Sequence, residues 1–263
     1  MKNDLTRRSL MTKAMSTGAV VVAGLAAGPL LASPRELSMR PVARALPLHG
    51  FSTELYFLND ADLSRTLDIA VAGRGGGIRC SMPWYFIQPA RNSFDWTVLD
   101  RIVNAVRSRG LFLVGLLGTC PPWAAVDAGG TPWTRPRLAS DYAAFCEAVA
   151  RRYVGKIDAY EIWNEPNNAS FFNPAPDATF YTSMVKAAYP KIKAVDGSVA
   201  VVAGALGSTA TSSSTIGAVE FLTSMYQNSV AGSCDGSRFT PTTGASRRTS
   251  PRGCSTTLHP YGR

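Results

Sequence analysis

The residues best suited to chemistry stand in YEIWNEPNN, residues 160–168. The stretch runs apolar and aromatic, then presents a carboxylate, Glu165, between Asn164 and Pro166. A glutamate at the end of a buried strand is costly to desolvate, so its presence asks for a use. The residue before a proline is restricted to extended conformations, which predicts Glu165 fixed in a non-helical geometry at a strand end. Trp163 offers an apolar wall, and desolvation raises a carboxyl pKa towards neutrality. A carboxylic acid still protonated near pH 7 can hand its proton to a departing oxygen, such as that of a glycosidic bond. Asn164 adds an amide that both donates and accepts, which suits a hydroxyl-rich ligand. The plainer alternative is a strand-end glutamate that serves the start of the next helix.

The elements that must hold these residues alternate along the chain. GFSTELYF reads as extended, DADLSRTLDIAVAG as a helix with an acidic start, and GIRCSMPW as a short strand. SFDWTVLDRIVNAVRSRG is an amphipathic helix closed by Gly110, and LFLVGLLGT is an apolar strand of the kind buried on both faces. LASDYAAFCEAVARRYVG, IDAYEIWNE, PDATFYTSMVKAAYPKIKAVDG, VAVVAGALG and IGAVEFLTSMYQ continue the alternation of helix and strand. Five strand-then-helix units predict a parallel sheet with helical crossovers. No glycine-rich phosphate loop follows any strand; GRGGG at 73–77 precedes one and reads as a turn. Carboxylate and aromatic residues gather at the carboxyl ends of the second to fourth strands, where a (β/α)8 TIM barrel does its chemistry. The expectation is therefore an α/β, incomplete barrel of about five to six βα units, with a doubly wound open sheet as the alternative.

Composition bounds the rest. The 263 residues are 46% hydrophobic, enough for one large core. No apolar run reaches the ~20 residues of a membrane span. The net charge of +9 is carried mainly by the two ends: Lys2, Arg7, Arg8 and Lys13, then Arg238, Arg247, Arg248, Arg252 and Arg263. The body between is close to neutral, so no nucleic-acid footprint is expected. Cys80, Cys120, Cys146, Cys234 and Cys254 have neither metal-ligand spacing nor an even count, and the first three read as buried free thiols. Residues 1–32 resemble an export signal. Arg7 and Arg8 in TRRSLM resemble the twin-arginine type, which implies an exported protein, and a Sec signal or a disordered basic terminus is the alternative. Residues 33–48 read as a linker or N-terminal wrap and 49–228 as the partial barrel. Residues 229–263, dominated by Ser, Thr, Gly, Pro and Arg, read as an irregular tail.

WNEPN at the end of a fourth strand resembles the signature of clan A glycoside hydrolases, the barrel enzymes that include cellulases and β-xylosidases. The resemblance runs from about His49 to Gln227. It implies hydrolysis of O-glycosyl bonds in a β-linked polysaccharide or oligosaccharide with retained configuration, and neither metal nor cofactor. Carried over by position, Glu165 is the general acid/base and Asn164 the partner of the sugar 2-hydroxyl. Arg79 lies beneath the carboxylates as electrostatic support, and Trp84 and Trp123 line sugar subsites. The dull alternatives are an Arg79 paired with a barrel carboxylate and two core tryptophans. Tyr85 and Phe172 are weaker candidates.

The resemblance also calls for a nucleophilic glutamate ending strand seven. After Glu165 only Asp177, Asp196, Glu220 and Asp235 are acidic, and none is so placed. A His-Pro-Tyr is expected at the end of strand six, where RFTPT (238–242) stands instead. Either the reading frame shifts between about Ser229 and Arg238, or an insertion precedes a true sixth strand at Leu258–Tyr261, with His259 and Tyr261 lining the site. The alternatives to an enzyme are a non-catalytic carbohydrate-binding remnant and a fragment without function.

Overall fold

The computed structural model describes residues 49–240. The export signal and linker expected within 1–48, and the segment carrying His259, Tyr261 and Cys254, lie outside the described residues.

Among the described residues, six strands form one parallel sheet in sequential order. They are β1 (Phe51–Ser52), β2 (Gly77–Pro83), β3 (Phe112–Gly118), β4 (Ala159–Asn164), β5 (Ala200–Gly207) and β6 (Gly236–Thr240). Between them run α1 (Asp60–Ala72), the short α2 (Trp84–Ile87), α3 (Thr97–Ser108), α4 (Ala139–Arg152), α5 (Ala178–Val195) and α6 (Ala218–Gln227). A doubly wound sheet would reverse its strand order partway. This one does not, and the fold is an incomplete (β/α)8 barrel.

Period-2 alternation decides what each strand presents. On β2, Ile78, Cys80 and Met82 are buried against the helical layer, while Arg79 and Ser81 stay partly open on the inner face. The helices answer with stripes at three- and four-residue spacing: Leu99, Ile102, Val103 and Val106 on α3, and Tyr181, Met184, Val185, Ala188 and Ile192 on α5. Two buried tyrosines tie helices to strand ends. Tyr142 donates to the Leu117 carbonyl at 2.7 Å and Tyr181 to that of Ile162 at 2.6 Å. No helix among the described residues is long and apolar enough to cross a membrane.

The stretch from Ser229, expected to be irregular, forms β6 over Gly236–Thr240 and pairs with β5. Apolar residues are too few there for composition to reveal a strand. Its anchors are polar: Asp235 accepts from the Val201 N–H (2.8 Å), the Tyr189 hydroxyl (2.9 Å) and Lys193 (2.7 Å). The sixth strand among the described residues is therefore Gly236–Thr240, and Leu258–Tyr261 lie outside them.

Candidate active site

The end of β4 breaks the strand's alternation. Glu161 and Asn164 are three apart and belong on opposite faces of a regular strand, yet one guanidinium reaches both. Arg79 donates from Nε to Glu161 Oε2 (2.7 Å), and from Nη2 to Glu161 Oε1 (2.8 Å) and Asn164 Oδ1 (2.9 Å). Trp163 reconciles them with a left-handed φ of 64°, a rare conformation for a bulky residue. Its ring turns to the helical side, edge-on to Tyr142 and Phe172, and its Nε1 donates to the Phe171 carbonyl at 2.6 Å. Asn164 then takes the inner face. A Cβ on Gly204 would strike the carbonyl oxygens of Ile162 and Trp163, so the neighbouring strand carries glycine there. The Tyr181 hydroxyl accepts from the Gly204 N–H at 2.6 Å.

Two expectations about Glu165 are corrected by this geometry. Its φ is 45°, left-handed and not extended. The preference imposed by Pro166 yields to two bonds that fix the turn: Glu165 N–H to the Ala205 carbonyl (2.8 Å), and Asn168 N–H to the Glu165 carbonyl (3.0 Å). The Trp163 ring, packed among the helices, does not wall the carboxyl group. Glu165 is instead buried beside the end of β5, where a Cβ on Gly207 would lie 3.3 Å from its Oε2. Buried Asn167 clamps this corner by accepting from the Gly207 N–H and donating to the Gly207 and Ile216 carbonyls. Glu165 does not serve the next helix, because Asp177 caps α5 by accepting from the Phe180 N–H.

Glu161 was not anticipated as part of the site. It is fully buried and accepts four hydrogen bonds: two from Arg79, one from Arg238 Nη1 (2.9 Å) and one from the Ala205 N–H (3.0 Å). Burial alone would raise its pKa, but the two guanidinium groups and the backbone donor hold it down at about 2. Arg79 therefore does pair with a barrel carboxylate, and the same guanidinium orients Asn164. Glu54 was also missed. It is half-buried at the end of β1 and accepts from the Tyr56 N–H at 3.0 Å. Burial pushes its carboxyl pKa up, against the Ser81 hydrogen bond, the Tyr56 N–H and the charge of Arg79. The period-2 pattern gives a signal for both, since Glu54 shares a face with Ser52 and Glu161 is a lone acid in an apolar strand.

The two tryptophans do not offer the faces expected of them. Trp84 is wholly buried, stacked on Phe145 at 5.3 Å with its Nε1 donating to Gln88 Oε1. It follows Ile78, Cys80 and Met82 on the helical side of β2. Trp123 is half-buried, packs edge-on to Trp84, and donates to the Gln88 carbonyl at 2.9 Å. The Arg91 guanidinium lies 4.5 Å above its ring. Phe172 is core, while Tyr85 is half-exposed.

The acids after Glu165 are engaged elsewhere. Asp177 caps α5, and Asp196 binds Ser198 and Val199 beyond its far end. Glu220, exposed on α6, accepts from Thr211, and Asp235 anchors the start of β6. No group of histidine, cysteine and acidic side chains that could hold a metal ion occurs among the described residues.

No family profile matches the chain. It is 30% identical over 146 residues to endo-1,4-beta-xylanase 1 of Gibberella zeae, a match covering 53% of this chain and 39% of that protein. It is 27% identical over 127 residues to endo-1,4-beta-xylanase A of Phanerodontia chrysosporium, covering 44% and 29%. The matches thus span well under half of these relatives. Among solved structures, the GH39 enzyme from Xanthomonas axonopodis pv. citri superposes with a TM-score of 0.53 at 18% identity, over 67% of this chain and 37% of that one. The endo-1,4-beta-mannanase from Rhizomucor miehei gives 0.51 at 16% identity, over 72% and 65%. At these identities the likeness is one of fold: this chain shares a partial barrel architecture with these two enzymes.

Proposed function

We propose that the protein is a glycosidase-type barrel acting on β-linked oligosaccharide or polysaccharide, with Glu165 as the proton donor to the departing sugar oxygen. The observation that supports this reading is the Arg79–Asn164–Glu165 arrangement at the carboxyl edge of the sheet. Arg79 occupies the Asn164 carbonyl oxygen, which leaves the amide N–H groups to donate to a sugar hydroxyl beside the acid. The positive φ values at Trp163 and Glu165 fit the reading too, since strained backbone gathers at functional sites. The two xylanase relatives make β-1,4-xylose oligomers the first substrates to try.

The test is turnover of aryl β-xyloside, β-glucoside and β-mannoside by the full chain and by Glu165→Gln. Removing a general acid costs about 10²–10⁴ in rate. Turnover that survives the substitution unchanged sinks the assignment.

A second reading is binding of the same sugars without turnover. It is favoured by the commitment of Asp177, Asp196, Glu220 and Asp235 to structural partners, because retention needs a second carboxyl group about 5–5.5 Å from the first. Sugar binding by a protein that hydrolyses none of the three glycosides selects this reading.

A further inference from the structure

We infer that Tyr85 is the aromatic platform of a sugar-binding subsite near Glu165, taking the flat face of a pyranose ring; the inference rests on the carbohydrate reading of the site. α2 is a four-residue hook at the carboxyl end of β2, held by bonds that look excessive for its length. The Gln88 N–H donates to the Trp84 carbonyl at 2.9 Å, and the side chain and carbonyl of Gln88 accept from the indoles of Trp84 and Trp123. The Tyr85 N–H donates to Thr119 Oγ1 at 3.2 Å. Thr119 itself sits at φ 62°, a left-handed conformation that a β-branched residue adopts only under constraint. A hook locked this firmly presents something.

Exposure identifies it. Arg79 and Ser81 face inward on β2, while Trp84 is buried on the helical side. The next residue, Tyr85, is a helical step on from Trp84 and is half-exposed. Its one ring contact among the described residues is Phe86, edge-on at 5.0 Å. Phe86 is braced in turn by Tyr56 at 5.7 Å and Phe57 at 5.5 Å. Such a ring is rigid, amphipathic and cheap to immobilise, which is what stacking against the C–H face of a sugar requires. Thr119, the anchor of the hook, follows β3, whose Leu117 pairs with Ile162 just before Asn164. β2 and β4 are two strand spacings apart, roughly 9.5 Å. One or two pyranose rings bridge that gap, so the platform serves a sugar unit close to the bond at Glu165. The two tryptophans cannot take the role, one being buried and the other lying under Arg91.

The experiment is calorimetric titration of the full chain, carrying Glu165→Gln so that ligand is not consumed, with xylopentaose, cellopentaose and mannopentaose in turn. Adding Tyr85→Ala is expected to raise Kd about tenfold for the pentaose that binds, and Tyr85→Phe to restore the affinity. Tyr85→Leu, which keeps apolar bulk against Phe86 without a flat ring, is expected to bind as weakly as the alanine variant. Unchanged affinity in the alanine or leucine variant overturns the platform alone. If none of the three pentaoses binds, the proposed function fails and the platform with it.

Discussion

Replacing Glu161 by glutamine tests the centre of the molecule. Its carboxyl pKa is lowered from 4.5 to about 2. A shift of that size contributes about 3 kcal/mol of stability at neutral pH. Breaking a buried ion pair by removing one partner gives an independent figure of about 3–5 kcal/mol. Because the folded-state pKa is depressed, the contribution is fully present above pH 4.5 and is lost as pH falls towards 2. Urea unfolding of the full chain and of Glu161→Gln across pH 7 to pH 2.5 reads it directly. The parent should exceed the variant by about 3 kcal/mol at pH 7, or about 6–12 °C in Tm for a domain of this size. The gap should shrink towards zero at the acid end. A gap below 1 kcal/mol at pH 7, or one that does not change between pH 7 and pH 3, refutes the claim that the charge on Glu161 holds the sheet interior together.

Two further outcomes follow from the same contacts. Gly207→Ala places a Cβ 3.3 Å from Glu165 Oε2 and 3.4 Å from its Cδ, tight enough to displace the carboxyl group by a few tenths of an ångström. On whichever aryl glycoside the parent turns over, kcat should fall about tenfold with little change in unfolding midpoint; unchanged kcat removes Glu165 as the donor. Cys80, Cys120 and Cys146 are buried free thiols whose pKa values burial pushes up. At pH 8, with Cys234 and Cys254 replaced by serine, they should react with Ellman's reagent only as fast as the chain unfolds, and rapid labelling of that native protein would contradict the packing of β2, the end of β3 and α4.

Most of the framework was legible because it is written in local periods. The stripe on α3, the apolar run of β3 and the alternation of strand and helix each need only a short window of sequence. Trp84 was legible in principle, since four even-numbered positions from Ile78 onwards share the helical face. Of its two readings, sugar subsite and core, the burial of its ring favours the core. Glu161 was passed over as a strand residue next to a more conspicuous glutamate. Arg238 could not be found that way: it lies 77 residues from Glu161 in a stretch whose composition reads as tail, and only the folded sheet brings them together. The left-handed turn at Trp163 has no local signal either. Its trace lies on another strand, in the glycine at 204 that must lack a Cβ.

The three charges at the centre also impose an order on synthesis. A ribosome making this chain delivers Arg79 first, Glu161 82 residues later, and Arg238 a further 77 residues on. At about 5–20 residues per second, the second guanidinium trails the carboxylate by roughly 4–15 s. Throughout that interval the nascent polypeptide holds Arg79 as a cationic partner for Glu161 and lacks Arg238. The last of these three contacts therefore waits for Arg238, in a stretch that composition would dismiss as a loose end.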